Sequence, residues 1–182
     1  WLQEAKKRGL ENFADTTESL PHYTDEKNVK MFEKHGVLSG TEIASRQEVL
    51  LEGYIKSLRV EALTFIDLAR KDILPSVLRY ENLLVREIEG KKKLLAHSSV
   101  ETKLLKQIIP LSTTLYDQIG VLEKAVQEGL KIQDTVEGAK YSRKAIYDHM
   151  EKMRQTVDTL ETLVPREMWP FPTYAEILYS VK

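Results

Sequence analysis

Four histidines, His22, His35, His97 and His149, are the first places to look for metal or proton chemistry, because imidazole ligates divalent metals and titrates near neutral pH. They lie far apart, and none has Glu three positions before it, so the Glu-x-x-His pairs of carboxylate-bridged di-metal bundles are missing. The sequence also lacks His-Glu-x-x-His, Gly-x-Gly-x-x-Gly and the phosphate-cradling Gly-Lys-Ser/Thr. Gly90-Lys91-Lys92-Lys93 has neither the second glycine nor the hydroxyl of a phosphate loop and reads as a solvated turn. Asp67 and Asp72 flank Arg70 and Lys71, and an i,i+4 pair of Asp67 with Lys71 accounts for such charges without catalysis. Glu61 falls between apolar positions and reads as a charge on the remaining polar edge or as an interface contact. With no cysteine, thiol catalysis, disulfides and Cys-ligated metal are excluded. These residues nominate no catalytic, cofactor-binding or metal-binding group.

The elements that would position any site are helices. Gly and Pro make up 14 of 182 residues, below the roughly 12 % usual in globular chains, which favours long helices over sandwiches and barrels. Residues 1 to 8 read as the end of a helix closed by Gly9, and residues 25 to 35 as a short helix ended by Gly36. Ser39 and Glu42 have the capping-box spacing, so a new helix starts near Gly40. Ile55, Leu58, Ala62, Phe65, Ala69 and Ile73 then mark one helical face, continuing through Val77, Tyr80 and Leu84 towards Gly90. Pro75 should kink this helix without ending its periodicity. A second stripe, Leu104, Ile108, Leu111, Leu115, Leu122 and Val126, starts near Ser98, with Pro110 and Gly120 predicting kinks or a break. The third, Ile146, Met150, Met153, Val157, Leu160 and Val164, is the most regular.

Short connectors around 90–98 and 134–138 make neighbouring helices antiparallel. The expected fold is therefore all-α, an antiparallel bundle of about three long helices with short flanking helices and a Pro/aromatic tail. Three parts are expected: 1–40 as connector, 41–164 as bundle, and 165–182 as tail. In the tail, Pro165 ends the third helix, Trp169-Pro170-Phe171-Pro172 follows, and Thr173 with Glu176 predicts a last helix over 174–181.

The first long helix is apolar over more than one face. Between Leu58 and Leu78 it carries Leu63, Ile66, Leu68 and Leu74 beside its main stripe, which predicts cover on a second side. Leu63, Ile66 and Leu74, with the tail residues Trp169, Phe171 and Tyr174, are the candidate interface residues.

Composition narrows the partners. Lys plus Arg is 27 and Asp plus Glu 28, a formal net charge of -1, which argues against a broad grip on nucleic acid or an anionic membrane. Forty-two per cent hydrophobic residues suffice for a core. No apolar run approaches 18 residues and no signal peptide is apparent, so a cytoplasmic protein is expected. Opening on Trp1, directly inside a helical pattern, the sequence reads as a piece of a longer chain.

A succession of segments carries a resemblance. It begins with Glu4-Ala5-Lys6-Lys7-Arg8-Gly9-Leu10-Glu11-Asn12 and Leu20-Pro21, then Phe32-Glu33-Lys34-His35-Gly36-Val37-Leu38. Ser45-Arg46, Leu51-Glu52-Gly53-Tyr54, Val60-Glu61-Ala62-Leu63 and Ala69-Arg70-Lys71-Asp72-Ile73-Leu74-Pro75 continue it, and Leu163 with Trp169-Pro170-Phe171-Pro172-Thr173-Tyr174 closes it. In this order the segments resemble the C-terminal region of type III glutamine synthetases; residues 85 to 145 match in helical character only. Gln47 departs from the pattern, standing where an aromatic residue is expected after Ser-Arg.

The resemblance implies a parent enzyme that ligates glutamate and ammonia at the expense of ATP, with magnesium on the nucleotide phosphates. Its catalytic residues lie upstream, so none is carried over. What remains is a non-catalytic helical end supporting its own catalytic domain and like subunits in a homo-oligomer. The residues leave open an alternative, an independent helical module that binds a partner helix in its groove.

Overall fold

A computed structural model describes residues 1–94, 97, 99–172 and 174–179, except the side chains of Ser99, Tyr174 and Ala175. The described residues form helices and turns without a strand. Short helices α1 (Leu2–Lys7), α2 (Thr16–Ser19), a 3-10 turn (Leu20–Thr24) and α3 (Glu26–Lys34) precede the bundle. The first long rod is α4 (Gly40–Leu68), a π-helical turn (Ala69–Ile73) and α5 (Leu74–Lys93). Next come α6 (Ser99–Gly129), and a second composite of α7 (Thr135–Tyr141), a π-helical turn (Ser142–Tyr147) and α8 (Asp148–Leu163). A 3-10 turn (Arg166–Met168) and α9 (Tyr174–Tyr179) end the chain.

The start of α4 is set by its cap. Ser39 Oγ accepts from the Glu42 N–H while the Glu42 carboxylate accepts from the Ser39 N–H, the reciprocal box anticipated from the spacing. Pro75 neither breaks nor ends the rod. A proline ring clashes with the carbonyl four residues back in an α-helix. Here the turn before it, Ala69–Ile73, is π-helical and wider, and α-helix resumes at Leu74. The whole rod, Gly40 to Lys93, is on the order of 80 Å long.

Two expectations are corrected. Pro110 does not break α6, which continues to Gly129 through Gly120 as well. Gly90 to Lys93 is not a turn but the last turn of α5. Three lysines suit the negative end of the helix dipole there, and Lys91 pairs with Glu101 on α6. The third helix also begins earlier than its stripe suggested, at Thr135, with the Asp134 carboxylate accepting from Glu137 N–H at 2.8 Å.

The predicted stripes supply most of the main core: Leu58, Ala62, Ile73, Val77 and Leu84, joined by the off-stripe Ile66, cluster with Ile108, Leu115, Leu122, Ile146, Met153 and Leu160. Ser112 Oγ donates to Glu81 at 2.7 Å, and Arg70 pairs with Glu123 at 2.6 Å, tying α5 and the turn before it to α6. A second, smaller core joins Leu20, Leu51 and Ala139. It places the segment before the bundle against α4 and α7.

Candidate functional site

Pro165 turns the chain out of α8, and the 3-10 turn that follows brings Trp169 back onto the bundle. Trp169 is buried within the main core, with Met168 and Phe171 half-buried against it. The anchor is polar as well as apolar: the fully buried Ser76 hydroxyl donates to the Met168 carbonyl. Ser76 directly follows Pro75 in the first turn of α5, so the tail is fastened where the rod resumes after its widened turn. Arg166, in the 3-10 turn, pairs with Glu176 of α9.

The interface candidates thus divide. Ile66 and Trp169 are core residues, Leu74 and Phe171 are half-buried against the core, and Leu63 lies on the surface at 47 % exposure. The Tyr174 side chain, Thr173 of the anticipated capping pair, and Val181 lie outside the described residues, as does Ser98 at the start of α6. Leu63 borders an open groove of about 450 Å³ along α6, lined also by Glu123, Val126, Gln127 and Lys131. Leu68 and Leu78 are exposed too, so the rod's apolar surplus is part core and part surface. Glu61 is exposed at the edge of another groove, beside Phe65, Tyr147, Met150 and Arg154. Asp67 pairs with Lys71 at 2.5 Å, as its spacing implied.

A second constellation went unseen in the sequence. Asp15 caps α2, its Oδ1 accepting from Thr17 N–H at 2.8 Å, Glu18 N–H at 3.0 Å and Thr17 Oγ1 at 2.7 Å. Its other oxygen lies 3.3 Å from Arg143 Nε. Arg143 also pairs with Asp148 and lies 4.4 Å from the centroid of the Tyr147 ring. Burial alone would raise the Asp15 carboxyl, but the Thr17 and Glu18 hydrogen bonds and the Arg143 charge outweigh it and hold it below the usual range. Beside this pair, Phe13 stacks on His22 with ring centroids 4.3 Å apart, and His22 pairs with Asp25 at 2.8 Å. Asp15 with Glu18 three residues on was the local signal for this cap; Arg143 had none.

Gln47, the position that departs from the expected aromatic, has a definite task. Its Nε2 donates to the Leu20 carbonyl at 2.9 Å and the Pro21 carbonyl at 3.0 Å, pinning the 3-10 turn to α4. An aromatic ring could cover this turn but could not satisfy two carbonyls.

These arrangements fasten segments together. Against known proteins, residues 1–93 match the family model described as the glutamine synthetase C-terminal domain. The chain belongs to that family. Over its full length it is 32 % identical to a glutamine synthetase of Butyrivibrio fibrisolvens, covering 26 % of that protein. It is 30 % identical to one of Bacteroides fragilis, again covering 26 % of that protein and 99 % of this chain. A type-3 glutamine synthetase of Dictyostelium discoideum is 28 % identical over 98 % of the chain and 25 % of its own length. The chain thus spans about a quarter of the relatives it matches and corresponds to their C-terminal part. In this glutamine synthetase C-terminal domain the family model ends at Lys93, the last residue of α5, whereas similarity to the curated relatives continues to the end.

Proposed function

We propose that this domain is the non-catalytic end of a full-length glutamate–ammonia ligase, holding that enzyme's catalytic part and like subunits in a cytoplasmic homo-oligomer. Family membership supports the parent reaction, ATP-dependent formation of glutamine from glutamate and ammonia. A ligase of this kind needs ATP and magnesium. Among the described residues no three His, Asp or Glu side chains gather closely enough to hold a metal ion. No described helix is long and apolar enough to cross a membrane.

The observation that carries the supporting role is the division of apolar residues. The sequence's surplus on the first rod leaves Leu63 on the outside of a domain whose core is filled by the remaining stripe. Exposed apolar side chains beside a groove are what a docking face requires. Leu63→Asp in the full-length protein tests it. At an exposed position it should change the fold of the domain by no more than about 0.5 kcal/mol. The native particle mass or the melting temperature of the whole enzyme should nevertheless fall. If both stay unchanged, Leu63 is no contact.

A further inference from the structure

The segment before the bundle is fastened by the small core of Leu20, Leu51 and Ala139, by Gln47 and by the Asp15–Arg143 pair. Other large apolar residues of the segment stay in water: Trp1 is 81 % exposed, Leu10 54 % and Val37 60 %.

Their positions follow from one device used twice. Gly9 at φ +72° closes α1, with Leu10 N–H donating to the Ala5 carbonyl and Gly9 N–H to Lys6. Gly36 at φ +62° closes α3, with Val37 N–H donating to Phe32 and Gly36 N–H to Glu33. Both are complete Schellman turns, whose last residue commonly packs its apolar side chain back onto its own helix. Leu10 and Val37 instead stay exposed, on backbone that hydrogen bonds hold in place. An apolar surface fixed in this way is preorganised for a partner, because little conformational freedom remains to be lost on contact. Leu2, Lys6, Leu10 and Phe13 also line a groove of about 590 Å³.

We propose that the groove of Leu2, Lys6, Leu10 and Phe13 is the seat of the stretch of the same polypeptide that directly precedes Trp1 in the full-length protein. The inference rests on the reading above that the domain ends a longer enzyme. The relatives are about four times as long as this chain, which matches their C-terminal part, so the remainder enters through Trp1. A residue one step upstream lies within about 4 Å of Trp1 along the backbone, and tethering at that distance gives it a high effective concentration at the groove. The Glu4–Arg8 ion pair supplies a polar neighbour to the apolar patch.

Lys6, inside the groove, makes the contact measurable. Full-length protein assembled from mixed 15N-labelled and unlabelled subunits is cross-linked through its lysines, and amide exchange is followed over residues 2–13. The expected result is Lys6 linked to upstream residues of the same isotopic copy, with slow exchange over 2–13. Leu10→Asp should speed that exchange about tenfold or more, the loss expected when a buried leucine is no longer covered. Exchange over Ile108–Leu122 reports global unfolding, and Leu10→Gln replaces the charged variant if that control also rises.

Mixed-isotope links appearing about as often as same-isotope ones would assign the surface to a second copy and overturn the proposal. So would fast exchange over 2–13 in the unaltered protein, or exchange indifferent to the Leu10 variants. The supporting role is judged separately, by native mass after loss of the tail, so either reading can fail alone.

Discussion

Single residues decide how firmly the tail and the leading segment are held. Ser76 gives its hydroxyl to the Met168 carbonyl from a fully buried position, so Ser76→Ala strands that carbonyl. A cost of about 1–3 kcal/mol in denaturant unfolding is expected. Trp169→Ala should cost more, about 3–5 kcal/mol, because it empties part of the main core. Asp15 supplies a pH dependence whose sign can be worked out. Its folded carboxyl is held below the ordinary value, so the stability it contributes is present above the unfolded pKa and is lost as pH falls through the folded one. Arg143→Gln removes one of the influences holding it down. An NMR titration of Asp15 should then show its midpoint moving up towards the ordinary carboxylate range; an unmoved midpoint would mean Arg143 does not act on it.

At the scale of elements, buried stripes outweigh surface charges. Leu115 is fully buried between the rods, and Leu115→Ala should cost about 2–5 kcal/mol. The Arg70–Glu123 pair spans two elements but is exposed, and Arg70→Ala should cost less than about 1 kcal/mol in the same assay. The Glu123 carboxyl is held low chiefly by its hydrogen bond from Arg70, yet solvent screens most of that gain.

This contrast also explains what could be read from the sequence. Stripes such as Leu58–Ala62–Ile73 and Ile146–Met150–Met153 were legible because burial imposes a period on the chain. The Ser39–Glu42 box was legible because its partners are three residues apart. Gln47 over the Leu20 and Pro21 carbonyls, and Arg143 beside Asp15, join positions remote in sequence that leave no local pattern. At Pro75 the periodicity continues as expected, with a widened turn in front of it, whereas the break that local sterics allow at Pro110 does not occur and α6 runs on. Gly90 was read as a stop, although the lysines behind it suit a helix end.

For the whole molecule, the domain is a set of long rods with its own tail fastened along the first rod at Ser76 and a leading segment seated on α4 and α7. Such a body can transmit position without taking part in chemistry. Membership in the glutamine synthetase C-terminal domain family supplies the context, and the exposed apolar residues are the contacts proposed above. The most direct test of the supporting role is native mass and kcat, measured together on full-length enzyme lacking residues 165–182. This account predicts a lower particle mass or melting temperature, while the particles that remain intact keep their kcat. An unchanged mass and melting temperature, or intact particles that have lost kcat, would contradict it.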